Sequence, residues 1–238
     1  MSKQFLLAHR GYSSIAPENT KLAFDLAYFY GFDGVELDVH LTKDNQLVII
    51  HDETTGRTAQ ENLKISQATL KQLKKLDYAK TFKVPVPRQE ILTLEEFLDL
   101  FIDKFTTINI EIKTDLIQYP DIEKHIHELI QRKYKDKLHK LIFSSFNFKS
   151  LEIMSQLSKE YLLGFLYWRQ KDFKKISKEK IQSICKYLHP WNKLYKKYAK
   201  EYQQYNMPFL LWTLKSKKEF KNFQKDSKVL AQISNYKY

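Results

Sequence analysis

The chain has 238 residues, 43% of them hydrophobic, with 16 Phe and 15 Tyr, and it carries 40 basic against 28 acidic side chains. Five glycines and six prolines exclude a collagen-like or Pro/Gly-rich disordered chain, and no apolar run approaches the ~20 residues that span a bilayer. The lone Cys185 excludes an internal disulfide and fits a reducing compartment. Met1-Ser2-Lys3-Gln4-Phe5 enters a strand-like run without a signal peptide's long apolar region or cleavage site, so a cytoplasmic protein is expected. The length suits one α/β barrel domain over residues 1–238. The net charge of +12 lies entirely in residues 171–238, which hold 17 lysines, no arginine and 5 acidic residues. That asymmetry predicts a basic face toward an anionic partner.

Phe5-Leu6-Leu7-Ala8 reads as a short buried strand with His9 at its end, and Asn19-Thr20 caps a helix from about Lys21 to Tyr30. Val35 to Leu41 alternates, which turns Glu36 and Asp38 to the same face. Thr42-Lys43-Asp44-Asn45 is a hairpin-like turn into Leu47-Val48-Ile49-Ile50, which ends at His51-Asp52. Residues 52–92 are polar and irregular, with a helical piece near Thr69–Leu76, and Val84-Pro85-Val86-Pro87 cannot be helix. Thr93 caps a helix through Phe101, and Thr107–Lys113 alternates strongly with Asn109, Glu111 and Lys113 on one face.

A helix over about 121–134 and a strand over 140–145 follow, and the alternation then repeats. Helices near 149–158, 178–183, 191–205 and 216–224 precede strands near 161–166, 184–189, 208–213 and 228–234. Roughly eight strands interleaved with helices make a parallel α/β protein, at this length a (β/α)8 barrel with 52–92 as an excursion.

Barrel enzymes place active-site groups at the C-terminal ends of strands. His9, Glu36, Asp38, His51, Glu111 and Lys113 all fall at or near such ends. Glu36, Asp38 and Glu111 offer three hard oxygen ligands to one cavity, suited to one divalent cation, Mg2+ or Ca2+. His9 and His51 are the natural general acid/base pair, because imidazole titrates near neutral pH. Arg10 presents a planar fork to phosphate oxygens and Lys113 a point charge. Together these groups describe in-line attack on a phosphodiester. The structural alternative pairs Glu36 and Asp38 with Arg10 and Lys113 in an inert barrel. His40, His125, His127, His139 and His189 lack such company and read as surface or core residues, with His189-Pro190 bordering the pocket.

At these residues the sequence resembles a family. His9-Arg10-Gly11, Pro17-Glu18-Asn19-Thr20 and Gly34-Val35-Glu36-Leu37-Asp38-Val39 resemble signature blocks of the glycerophosphodiester phosphodiesterases. So do His51-Asp52 with Arg57-Thr58, Asn109-Ile110-Glu111-Ile112-Lys113, Leu92-Thr93-Leu94-Glu95-Glu96 and Trp212-Thr213. The resemblance implies a TIM barrel with a small insertion after the second strand region. It implies an enzyme of glycerophospholipid metabolism that hydrolyses a glycerophosphodiester to glycerol 3-phosphate and an alcohol. In that reading a divalent ion sits on Glu36, Asp38 and Glu111, and His9 and His51 are acid and base. Arg10 and Lys113 hold phosphate, Glu18 orients the first loop, and Trp212 supports the site. The pattern departs at the end of the chain. Val229–Tyr236 replaces a Gly-x-Asp-Gly-Ile-x-Thr-Asp-x-Pro block without either glycine, and Asn235 stands where an acid is common. Altered substrate fit is expected there.

Two other readings carry their own signals. A lysophospholipase D- or sphingomyelinase D-like phospholipase needs a more apolar mouth, which Leu166, Tyr167, Trp168 and Phe173 could supply. A non-catalytic phosphodiester- or membrane-binding barrel would use the basic last third. Trp191, Tyr195, Tyr198, Tyr202 and Tyr205 recur at the spacing of one helical face beside Lys193, Lys196, Lys197 and Lys200. That stripe is either a barrel helix packing rings inward or an interfacial helix at an anionic lipid or polymer surface. No nucleic acid is expected, since the region has no arginine and no binding motif.

Overall fold

The computed structural model describes residues 4–59 and 61–238. β1 (Phe5–His9) and α1 (Lys21–Phe29) lead into a hairpin of β2 (Gly34–Leu41) and β3 (Leu47–Ile49). A long segment containing α2 (Leu70–Leu73) reaches α3 (Leu94–Phe101) and β4 (Thr107–Ile112). Regular alternation follows: α4 (Ile122–Lys133), β5 (Leu141–Ser145), α5 (Phe148–Leu157) and β6 (Leu162–Tyr167). The chain ends through α6 (Gln170–Phe173), α7 (Lys178–Ile184), β7 (Tyr187–Pro190), α8 (Asn192–Gln203), β8 (Phe209–Leu214), α9 (Lys217–Phe223) and β9 (Val229–Ser234).

The sheet order β1-β9-β8-β7-β6-β5-β4-β2, with β1 also paired to β2, closes eight parallel strands into the expected (β/α)8 barrel. β3 stands outside it as an antiparallel partner of β2, so the described residues hold nine strands where roughly eight were expected. Boundaries shift by a few residues. Ile184 ends a helix instead of starting a strand, and that strand runs on to Pro190. The caps are as the sequence indicates. Thr20 accepts from the Ala23 amide, and Thr93 with Glu96 forms a reciprocal capping box, a device worth ~1 kcal/mol.

Strand alternation divides the core in two. Outward residues such as Val35, Leu37, Val39, Ile108 and Ile110 join the large layer between strands and helices. Within it Phe24 meets Phe97 edge-on at 4.6 Å. Inward residues Leu7, Ile142, Leu210, Ala231 and Ile233 form a smaller apolar cluster inside the barrel. His189 also points inward. It is fully buried with both ring nitrogens unpartnered, and burial lowers its pKa to about 3, so it is a neutral packing residue. A Cβ on Gly164 would lie 2.3 Å from its Nε2, which explains the glycine opposite. The imidazole does not line the site, contrary to expectation; only the His189 carbonyl serves it, accepting the Trp212 indole N–H at 2.8 Å.

The excursion after β3 has its own small core, in which Val48, Ile50, Ile65, Leu73, Tyr78 and Ile91 pack together on the hairpin. On α8, Tyr195 and Tyr202 are buried against Phe209, Tyr167 and Phe173, while Lys193, Lys196, Lys197 and Lys200 are exposed. At Tyr195 and Tyr202 the aromatic stripe is therefore barrel packing, with Tyr198 and Tyr205 half-buried against the same core, so these rings are not free to enter a lipid surface; Trp191 is half-buried beside Lys193. No helix among the described residues is long and apolar enough to cross a membrane.

Candidate active site

Parallel register assembles the site. His9 lies beside Glu36, Glu36 beside Asn109, and Asp38 beside Glu111. Paired residues in neighbouring strands share a face, so these side chains point into the barrel together. Oxygens of Glu36, Asp38 and Glu111 lie within 4.8 Å of one another, and all three side chains are buried. Glu36 and Asp38 sit mid-strand, because β2 continues past the barrel rim to pair with β3; His9, Glu111 and Lys113 occupy strand ends as expected.

His51 arrives differently. It follows β3, which runs back toward the barrel, and the Ile50 amide donates to the Asp38 carbonyl at 3.1 Å. Buried His40 holds its backbone, with Nε2 3.0 Å from the His51 carbonyl and Nδ1 2.7 Å from the Tyr119 hydroxyl. The hairpin thus brings the second imidazole back toward the barrel's three carboxylates.

Arg10 reaches the carboxylates through a sharp reversal after β1. Arg10 and Gly11 have φ of 57° and 75°, and a Cβ at Gly11 would lie 2.6 Å from the Ala23 side chain. The Arg10 amide donates to Glu36 Oε2 at 3.1 Å, and its guanidinium lies 3.3 Å from Asp38 Oδ2. Lys113 Nζ donates to Glu111 Oε1 at 3.0 Å. Asn19, also at positive φ, donates to Asp38 Oδ2 at 2.9 Å.

The electrostatics are those of a crowded anionic centre. Burial, with Asp38 and Glu111 adding repulsion, pushes the Glu36 pKa well above the carboxylate range. Burial and Asp38 also raise Glu111, against the pull of Lys113. Burial would raise Asp38 most of all, but Arg10, His51, Lys113 and the Asn19 hydrogen bond together outweigh it and hold Asp38 well below the usual value. His9 is lowered to about 3, by burial first and then by Arg10. Asp38 Oδ1 is buried without a hydrogen-bond partner. An orphaned carboxylate oxygen facing two more carboxylates fits a hard divalent cation, because burying such charge unpaired costs several kcal/mol.

A continuous chain of ion pairs rims these groups. Arg10 donates to Glu18 at 3.0 Å, and Arg57 grips Glu18 with two bonds of 2.7 and 2.8 Å. Arg57 also donates to Asp52 at 2.6 Å, and Asp52 lies 2.6 Å from His51 Nδ1. The His51 hydrogen bond, with Arg57 assisting, holds the Asp52 carboxyl well below its ordinary value. Glu18 therefore couples the first loop to the excursion, and Arg57 and Asp52 are structural members of the site to which sequence reasoning gave no role. A cavity of about 480 Å3 opens over the centre. Its lining combines His9, Arg10, Glu36, His51, Glu111 and Lys113 with the apolar Leu116, Phe146, Leu166, Trp168 and Trp212. Of the expected apolar mouth, Leu166 and Trp168 line the cavity, whereas Tyr167 and Phe173 face away into the helix layer.

The glycerophosphoryl diester phosphodiesterase family model matches residues 9–234. The chain belongs to that family. It is 54% identical to an uncharacterized protein of Mycoplasma genitalium over all of this chain and 97% of the relative. A glycerophosphodiester phosphodiesterase of Caldanaerobacter subterraneus is 41% identical over 69% of this chain and 67% of its own. Among solved structures, an Oleispira antarctica phosphodiesterase in complex with the product sn-glycerol-3-phosphate superposes with a TM-score of 0.83 at 25% identity. That superposition covers 98% of this chain and 93% of the other. Asn235, at the end of β9, places Oδ1 2.6 Å from His9 Nδ1. Nothing in the linear sequence marked it as a partner of a residue 226 positions away.

Proposed function

We propose that this chain hydrolyses glycerophosphodiesters to glycerol 3-phosphate and an alcohol, with His9 and His51 as general acid and base. The observation that carries the reading is one cavity lined by two imidazoles, two cations and the carboxylates of Glu36 and Glu111, with buried Asp38 converging on both. Arg10 and Lys113 bind phosphate oxygens and set the phosphorus between the imidazoles; Glu18 keeps Arg10 in place. Glu36, Asp38 and Glu111 hold a divalent cation, Mg2+ or Ca2+, which when bound polarises the phosphoryl group and offsets their mutual repulsion. Trp212, fixed by its bond to the His189 carbonyl, closes the apolar wall against Phe146 at 5.4 Å. Residues 1–238 act in this reading as one barrel domain, with the β2–β3 hairpin delivering His51 and residues 52–92 delivering Arg57.

The test is a panel of glycerophosphocholine, glycerophosphoethanolamine, glycerophosphoglycerol and lysophospholipids, each assayed with Mg2+, Ca2+ and chelator. Turnover of the water-soluble diesters with at least one ion is expected. Failure on every substrate with both ions would instead support a binding module. A second reading, lysophospholipid hydrolysis, is favoured by Leu116 and Trp168, which line the cavity while 74% and 56% exposed, as an acyl chain would require. Faster turnover of lysolipids than of the soluble diesters would establish it.

We also infer that the exposed lysines of the last third give peripheral contact with anionic membrane, in a protein otherwise cytoplasmic. With the α8 rings turned inward, this contact rests on charge alone and falls as salt screens it. Flotation with phosphatidylglycerol vesicles should capture the protein at low ionic strength and release it near 0.5 M salt; equal recovery with neutral vesicles would count against it.

A further inference from the structure

We propose that Asn235 is a positioning residue for His9, holding the imidazole in its Nδ1–H tautomer so that a bare Nε2 faces the cavity. The activity arm of the test below rests on the phosphodiesterase reading; the spectroscopic arm does not.

β9 and β1 are parallel neighbours with Ser234 level with Ala8, so the next residue of each, Asn235 and His9, also come level. The Asn235 Oδ1 to His9 Nδ1 distance is 2.6 Å. A carboxamide oxygen has no hydrogen to give, so Nδ1 donates and Nε2 keeps its lone pair. Nε2 lies 3.9 Å from Glu36 Oε2, on the cavity side. Both partners are fixed by backbone bonds. The Ser14 amide donates to the Asn235 carbonyl at 3.3 Å, and the Ser13 hydroxyl to the His9 carbonyl at 2.8 Å. The preceding Ser234 hydroxyl donates to the Leu214 carbonyl at 2.8 Å, which ties the end of β9 to β8.

The two imidazoles thus have partners of different charge. His51 leans on Asp52, a carboxylate itself held by Arg57, whereas His9 leans on a neutral amide. Either acceptor orients the ring through its Nδ1–H, and the two differ in the charge they bring. Asn235 therefore bears on the orientation of His9.

The test reads the tautomer directly. With isotope-labelled histidine in the Mg2+-loaded protein, long-range proton–nitrogen correlations should show pyrrole-type Nδ1 and pyridine-type Nε2 on His9, assigned by its loss in His9→Gln. Asn235→Asp, which can still accept, should keep this pattern and most of the rate. Asn235→Leu should lose the fixed tautomer and lower kcat for glycerophosphocholine by ~10–100-fold with KM unchanged, the range seen when an orienting partner is removed. A wild-type His9 carrying its proton on Nε2 would overturn the proposal, even if Asn235→Leu failed to fold. So would an Asn235→Leu protein with the native tautomer and native kcat. If the wild type turns over no diester but shows the Nδ1–H pattern, the positioning role stands and the proposed activity fails.

Discussion

His51→Ala is expected to lower kcat for glycerophosphodiester hydrolysis by ~10²–10⁴-fold, the usual weight of one general acid/base group, while leaving the thermal midpoint near the wild-type value. The separation is possible because the imidazole does little for the fold. The segment carrying it is held by the Ile50 amide on the Asp38 carbonyl, by His40 on the His51 carbonyl, and by Arg57 between Glu18 and Asp52. All of these survive the truncation. His9→Ala should fall in the same range of rate. If steady-state kinetics found either variant within a few-fold of wild type, that histidine would have no part in proton transfer.

Removing the divalent ion is expected to abolish turnover and to lower stability. Glu36, Asp38 and Glu111 are buried within 4.8 Å of one another, and Arg10 and Lys113 supply only two positive charges beside them. Burial first, and the neighbouring Asp38 and Glu111 next, push Glu36 upward. An ion that binds the folded chain at 100 times its Kd stabilises it by ~2.7 kcal/mol, which for a domain of this size is roughly 5–10 °C in Tm. Adding Mg2+ or Ca2+ to chelated protein should produce such a rise by calorimetry, and Glu111→Gln should lose most of it. A thermal midpoint indifferent to both ions would remove the metal from the proposal.

Periodicity carried much of the architecture. The alternation in Val35–Leu41 and Thr107–Lys113 placed Glu36, Asp38, Glu111 and Lys113 on inward faces, and the structure brings them together. The helix caps at Thr20 and Thr93 were legible because capping is local chemistry between residues three apart. Less legible was the tyrosine stripe of α8, whose spacing suits a membrane face or a barrel face equally; only the packing partners Tyr167, Phe173 and Phe209 decide it. The same ambiguity covered His189, a strand-end histidine by sequence and a neutral residue packed on Gly164 in space.

What the sequence by itself determined is the set of chemical groups and the faces they occupy, because side-chain direction along a strand depends only on a period of two. What only the tertiary structure decided is which groups touch. His51 reaches the centre because an antiparallel strand turns back over β2, Arg57 bridges Glu18 to Asp52 across the excursion, and Asn235 meets His9 through barrel closure. These contacts join segments far apart in the chain, and their geometry follows from register and closure, which no local pattern encodes.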